Sequence, residues 1–316
     1  MSASVAIITP VFNDWESYNK LVDNTTALLA EKFSFDRILF VAVDDCSSQE
    51  VIVENAKANV KLISLNRNVG HQKAIAVGLS YAAFNLKEFD FFIVMDSDGE
   101  DKPEDVIRLI DKSEISKQIV FAKRSKRSES TLFKFFYKIY KLVFKLLTGQ
   151  SIYFGNFSVI PSKYIQKIVH VSEIWNHYSG AVIRSRLPYT TVDSERGKRY
   201  FGQSKMNFTN LVLHGLSAVS IYMDQMAVRL LFLTIFLILF TISGVLVVLT
   251  MKFITHVAIP GWASVTILAL SIIFFQAFFI GLFMVFSVLS YRTNRSIIPA
   301  KDYKDFVLEV IDYARK

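Results

Sequence analysis

Cysteine is almost absent from this sequence. Cys46 stands alone among 316 residues, so no intrachain disulfide can form and no thiol spacing exists for a zinc or iron–sulfur site. A reducing compartment is the natural setting. Histidine is scarce as well, and the five at 71, 170, 177, 214 and 256 show no metal-ligand spacing. The chain is 52% hydrophobic, which excludes disorder, and it has no collagen-like period. Acidic residues are in deficit: 28 Asp and Glu against 36 Lys and Arg give a net charge of +8. No internal repeat or low-complexity linker is evident.

What is present in excess is apolar surface, with 28 Phe and a mean hydropathy of +0.34. It is concentrated near the end, where Leu230 to Met251 and Ala263 to Tyr291 carry almost no charge. Each exceeds the roughly 20 residues that cross a ~30 Å hydrocarbon core. Buried core helices rarely run so long without a polar face, so two transmembrane helices are expected at about 230–251 and 263–290. The N-terminal apolar run, Val5 to Ile8, is closed by Pro10 and lacks the length and basic flank of a signal peptide. Arg229 precedes the first span and Arg292, Arg295, Lys301 and Lys304 follow the second, while the connector holds only Lys252. That bias predicts an integral membrane protein with residues 1–228 as a cytoplasmic domain, 229–291 as a hairpin, and 292–316 as a cytoplasmic C-terminal tail.

Over the first 125 residues short apolar runs alternate with amphipathic stretches, the pattern of an α/β fold with a parallel sheet covered by helices. Strands are expected at Val5 to Val11, Arg37 to Val43, Val60 to Leu65, Asp90 to Met95 and Gln118 to Ala122. Helices fill the gaps at Trp15 to Lys32, Gln49 to Ala58, His71 to Phe84 and Pro103 to Lys112. In such sheets ligands gather beyond the carboxyl ends of the strands, and four polar clusters fall there: residues 9–14, 44–48, 66–70 and 96–100. From 131 to 147 Lys134, Lys138, Lys141 and Lys145 form one stripe of a helix whose other faces are Phe, Tyr, Leu, Ile and Val. This is the form of an interfacial helix lying among anionic headgroups; the plainer alternative is a domain helix with a solvated lysine face.

Asp96 and Asp98 leave one strand exit two residues apart, with Glu100 as a further oxygen donor. Such ligands suit Mg²⁺ or Mn²⁺, which bind through one or two carboxylates plus substrate phosphates. A solvated turn capping the Pro103 helix is the competing reading. Asp44, Asp45 and Asp14 can accept hydrogen bonds from a nucleobase or ribose, although Asp45 or Ser47 can equally cap a helix. Asn68 and Gly70 precede a helix N-terminus that favours an anion, and are also ordinary turn residues.

The segments TPVFND, VDDCSS, NRNVGHQKAIAVGL and DSDGEDKPED, in this order, resemble the nucleotide-sugar domain of family 2 inverting glycosyltransferases with the GT-A fold. RSKRSES at 124–130, RYFGQSK at 199–205 and the two spans narrow the resemblance to polyprenyl-phosphate glycosyltransferases, the group that includes dolichyl-phosphate mannose synthases and bacterial undecaprenyl-phosphate glucosyltransferases. The resemblance implies that Pro10, Asp14 and one or both of Asp44 and Asp45 hold the nucleoside. Asn68 and Gly70 lie beside them. It implies Asp96 and Asp98 at the sugar and metal, with Glu100 where the family usually has Gln. Arg124, Arg127, Arg199, Ser204 and Lys205 match positions near the leaving diphosphate and the acceptor phosphate. Lys73 replaces a commoner Ala, and Gly155-Asn156-Phe157-Ser158 departs from Gly-Asp-Phe-Arg.

The implied reaction is inverting transfer of a hexose, UDP-glucose being the favoured donor, to a polyprenyl phosphate at the cytoplasmic membrane face. A phosphate monoester has a second pKa near ~6, so no base is needed. No Glu-Asp pair of the kind used against sugar hydroxyls is found, and Glu173 stands alone. A Gln-x-x-Arg-Trp motif is absent, which argues against a processive polysaccharide synthase. A transferase acting on a hydroxyl lipid, with Glu173 or Asp193 as base, and an inactive membrane-anchored scaffold are the alternatives. The expected partners are the donor, the lipid and the bilayer, with no nucleic acid; the family precedent adds a possible tetramer.

Overall fold

The computed structural model describes residues 3–53, 58–124, 141–150, 154–202, 215–254, 261–293 and 296–314, the side chains of 292 and 293 excepted. The chain divides into two compact units: Met1–Thr131, Ile152–Ile221 and Ser296–Lys316 make the first, Leu132–Ser151 and Tyr222–Arg295 the second.

The first unit is built on an eight-stranded sheet. Its strands are β1 (Val5–Val11), β2 (Ile38–Asp44), β3 (Asn59–Leu65), β4 (Phe91–Val94), β5 (Ile119–Arg124), β6 (Ser158–Pro161), β7 (Tyr189–Ser194) and β8 (Val307–Tyr313), in the order β7-β5-β6-β4-β1-β2-β3-β8. β1 pairs in parallel with β2 and β4, β2 with β3, and β5 with β7. β6 enters antiparallel between β4 and β5, and β8 runs antiparallel to β3. The expected α/β fold with a mostly parallel sheet is therefore present, with two reversed strands.

Successive side chains of a strand face opposite ways, and the apolar runs of β1 and β2 serve two cores. Ile8, Val41 and Val43 pack under α2 (His71–Asn85), α4 (Ser162–Val169) and α5 (Tyr178–Arg184); Val5, Ile7, Phe40 and Ala42 pack against α1 (Trp15–Leu29) and α3 (Pro103–Ser116). α2 approaches so closely that a Cβ at Gly78 would lie 2.6 Å from a methyl of Ile8 and 2.7 Å from one of Val43. That contact sets the height of α2 over the sheet and so places His71 at the rim. Pro10 is tolerated in a central strand because β4 pairing ends at Ile8, and the N–H that proline lacks would point past it.

Two elements differ from expectation. Residues 49–53 are not helical, and 54–57 lie outside the described residues; the Ser48 and Gln49 N–H groups are taken by Asn13 Oδ1 at 2.9 and 3.1 Å. Within the stretch 292–316 expected as a C-terminal tail, Val307–Tyr313 is instead a strand of the sheet. β8 covers the edge of β3, with Ile311 and Tyr313 packed on one core and Val307 on the other. The irregularity opposite Ser64 and Leu65 produces that change of face. Tyr303 stacks on Phe84 at 6.0 Å, and the Asn66 side chain donates to the Asp305 carbonyl at 2.7 Å. The C-terminal segment covers β3, so that β8 becomes the outer strand on that side of the sheet. A four-residue helix, α8 (Pro299–Asp302), leads into it.

The second unit contains α6 (Met223–Phe253) and α7 (Trp262–Thr293), both long and apolar enough to cross a membrane. They pack antiparallel: Gly281 lies beside Thr234 and Gly244 beside Leu270. α6 begins earlier than Leu230 because nothing from Met223 to Arg229 breaks a helix, and Asp224 suits its positive N-terminal end. Of the expected interfacial helix, residues 141–148 are helical; Lys134 and Lys138 lie outside the described residues. Leu142, Val143 and Leu146 are exposed there, Phe144 is buried edge-on to Tyr222, and the Arg229 guanidinium donates to the Leu146 carbonyl at 2.5 Å.

Candidate active site

The four loops beyond β1 to β4 meet at one rim and are tied to one another by side chains. Asn13 sits at φ 51°, a left-handed conformation that asparagine tolerates. Its N–H donates to Ser47 Oγ at 2.9 Å and its amide nitrogen to Ser48 Oγ at 3.1 Å, which joins the first loop to the second. The second joins the third through Asp45, whose Oδ1 accepts from Val69 N–H at 2.7 Å and Oδ2 from Gly70 N–H at 2.9 Å. Asn68 donates to the Asp45 carbonyl at 3.1 Å. Desolvation pushes the Asp45 carboxyl above the usual range, against those two N–H groups. Asp45, Asn68 and Gly70 thus form a clamp between loops. Asp44 differs: its Oδ1 accepts from Ser47 N–H at 3.0 Å, and its Oδ2 has no partner among the described residues.

The fourth loop carries the acids. Asp96 Oδ1 lies 3.1 Å from His71 Nε2, which is 3.3 Å from the Asn156 amide nitrogen. Loss of hydration lowers the His71 pKa, but Asp96, then Asp101 and Asp98, outweigh it and hold the imidazole above its ordinary value. Asp101 is buried; it accepts from the Asp96 N–H at 3.1 Å and faces Arg124 at 3.4 Å. Burial, then the Asp96 charge, push its carboxyl up to about 7. Asp98 Oδ1 accepts from Glu100 N–H at 2.9 Å. Its pKa is also raised, by desolvation and then by Asp96.

A segment from the far end of the unit lies against this acidic loop. Arg196 engages Glu100 with two hydrogen bonds, of 2.9 and 2.6 Å, Gly197 N–H donates to the Glu100 carbonyl at 2.8 Å and Tyr200 N–H to the Asp98 carbonyl at 2.9 Å. Arg199 donates to Asp98 Oδ2 at 2.6 Å and stands 4.0 Å from Asp14. Gly99, at φ +83°, lies under the Tyr200 ring, and a Cβ there would be 2.7 Å from it.

The structure therefore brings together Asp14, Asp96, Asp98, Glu100, Arg124 and Arg199, with Pro10, Asp44, Asp45, Asn68 and Gly70 on the same rim. Arg127, Ser204 and Lys205 lie outside the described residues. The all-oxygen donor set of Asp96 and Asp98 fits a hard divalent cation that completes its shell with phosphates and water, and a cationic group already rests on Asp98. Glu100 fits less well, because it is turned into its pair with Arg196 and lies 3.8 Å from Arg124. Sequence reading missed Asn13, Asp101, Arg196 and Tyr200. Only Asn13 had a local signal, as asparagine is favoured at positive φ.

Paired aspartates at a strand exit, a clamped turn at a helix N-terminus and a facing arginine segment share one rim of an α/β sheet. The family model for glycosyl transferase family 2 matches residues 6–175, and the chain belongs to that family. An uncharacterized glycosyltransferase, YkcC, of Bacillus subtilis (strain 168) is 25% identical over 96% of this chain and 93% of its own. The undecaprenyl-phosphate 4-deoxy-4-formamido-L-arabinose transferase of Yersinia pestis (strain Pestoides F) is 28% identical over 88% and 85%. Among solved structures, the glucosyl-3-phosphoglycerate synthase of Mycobacterium tuberculosis in complex with Mn²⁺, UDP and phosphoglyceric acid is 9% identical, with a TM-score of 0.49, over 71% of this chain and 78% of that one.

Proposed function

We propose that this enzyme transfers a sugar from a nucleotide-diphosphate donor to a polyprenyl phosphate in the membrane, with inversion at the anomeric carbon. The observation that carries the reading is the pairing of an Asp96–Asp98 rim, faced by arginines, with two helices long enough to span a bilayer, in a chain similar over most of its length to an undecaprenyl-phosphate sugar transferase. Asp96 and Asp98 would hold Mg²⁺ or Mn²⁺, which supplies neutralisation of the departing diphosphate. Asp44, through Oδ2, and Asp14 receive the nucleoside, while Asp45 shapes the turn. Arg124 and Arg199, with Arg127, Ser204 and Lys205, bring the acceptor phosphate toward the donor against its repulsion. Guanidinium forks suit phosphate. The acceptor oxygen attacks as an anion, so positioning and charge carry catalysis.

The hydroxyl-lipid alternative needs a base, and neither candidate is placed as one. Glu173 is paired with Arg184 at 2.9 Å and accepts from Ser172 at 3.0 Å, and Asp193 faces outward near Lys123. We read the donor unit as cytoplasmic, from the basic flanks of the spans, and both ends of the hairpin as lying on one side, because β8 pairs with β3. UDP-glucose is the donor to test first, beside a nucleotide-linked 4-deoxy-4-formamido-L-arabinose. Purified full-length protein, given Mg²⁺ or Mn²⁺, a panel of nucleotide sugars and undecaprenyl or dolichyl phosphate, should yield a glycosylated lipid phosphate by mass spectrometry. No transfer to either lipid would refute the reading. Asp98→Asn should fold normally and lose most turnover.

A further inference from the structure

Both oxygens of Asp98 are already engaged: Oδ1 accepts the Glu100 N–H at 2.9 Å, and Oδ2 accepts the charged Arg199 guanidinium at 2.6 Å. The same guanidinium is 4.0 Å from Asp14, so it spans the carboxylate read as a metal ligand and the one read as a nucleoside contact. Its placement is enforced from both sides: Gly197 and Tyr200 donate backbone N–H groups to Glu100 and Asp98, Arg196 is forked onto Glu100, and the Tyr200 ring covers Gly99. Arg199 is only about a quarter exposed, so the pair is weakly screened by solvent.

We propose that Arg199 is a surrogate cation, occupying Asp98 Oδ2 in the metal-free enzyme and giving it up when a divalent ion binds. The inference rests on the reading of Asp98 as a metal ligand. A guanidinium held on Oδ2 and a divalent ion on the same carboxylate repel each other, so metal entry loosens the Arg199–Asp98 pair. The strap 196–200 thereby keeps an acidic loop neutralised while the donor site is empty. It also delays presentation of the Arg199 charge to a phosphate until the cation has arrived. Metal affinity in the absence of nucleotide is consequently lower than the aspartates alone would give.

The test is Mn²⁺ binding to the purified full-length protein without nucleotide, followed by electron paramagnetic resonance titration. A charge-assisted hydrogen bond at a partly buried site shifts an equilibrium by about tenfold or more. Arg199→Gln should therefore bind Mn²⁺ about tenfold more tightly than the wild type, Arg199→Lys should stay close to wild type, and Asp98→Asn should lose binding. Equal or weaker binding by Arg199→Gln, with Asp98→Asn still defective, overturns the surrogate role and leaves the metal assignment standing. Mn²⁺ binding by Asp98→Asn at wild-type strength overturns both. A measurement on the unmodified protein guards against a misfolded variant: amide hydrogen exchange at 197–200 should rise on adding Mn²⁺, and unchanged exchange contradicts the proposal.

Discussion

Replacing Asp45 with Asn separates shaping a turn from binding a nucleoside. Both Asp45 oxygens accept N–H groups from the 69–70 turn, at 2.7 and 2.9 Å, in a buried position. An amide keeps one acceptor and turns an NH₂ toward the other N–H, so one charge-assisted bond worth about 1.5–3 kcal/mol is lost and the second is weakened. Removing a carboxylate whose burial is unfavourable offsets part of this, which leaves a net loss of about 2 kcal/mol. For a unit of this size that lowers the melting temperature by roughly 4–8 °C. Asp44→Asn keeps an oxygen for the Ser47 N–H and should melt within about 1–2 °C of wild type, while weakening donor binding. Thermal melts followed by tryptophan fluorescence, paired with calorimetric titration of the nucleotide, compare the two variants. If Asp45→Asn melted normally yet lost the nucleotide, while Asp44→Asn bound it fully, the assignment of roles would be reversed.

Gly99→Ala combines a left-handed backbone, costing about 1–2 kcal/mol, with overpacking against Tyr200 of about 1–3 kcal/mol. Tyr200→Ala in the same chain should recover the second part, and a double-mutant cycle in urea without coupling would show that the two groups do not touch. Burial of Asp101 should make the metal-free protein less stable as pH rises toward neutrality: its carboxyl, up to about 7 when folded, retains a proton that the unfolded chain releases near ~4. Its stabilising share is present below the unfolded value and is lost as pH rises through the folded one. Asp98, Asp45 and His71 are raised as well and act with the same sign. Melts between pH 5 and pH 8 should fall with pH, less so in Asp101→Asn; a rising curve would contradict the burial of that charge.

The portion of the fold written in local pattern was readable. β1 was expected at Val5 to Val11 and found there, and α2 and α3 begin at the predicted His71 and Pro103. Unbroken apolar runs between turn residues leave few other ways to bury a strand. β6, β7 and β8 were missed because Ser158–Pro161 is too short for a period, and Val307–Tyr313 changes face at a bulge instead of alternating. The acidic pair was legible because two aspartates after a strand have one exit. Asp45 as a clamp and Arg199 on Asp98 were not legible, since each depends on a segment far away in sequence meeting the loop.

The C-terminal strand has a consequence for how the molecule is made. β3 is finished early in synthesis, but the strand that covers its edge is translated only after both apolar helices. The catalytic sheet therefore completes itself last, once the hairpin has left the ribosome and the chain has doubled back. Until then β3 offers an open row of hydrogen-bonding groups. A fault in the long apolar helices would thus leave the β3 edge of the sheet uncovered.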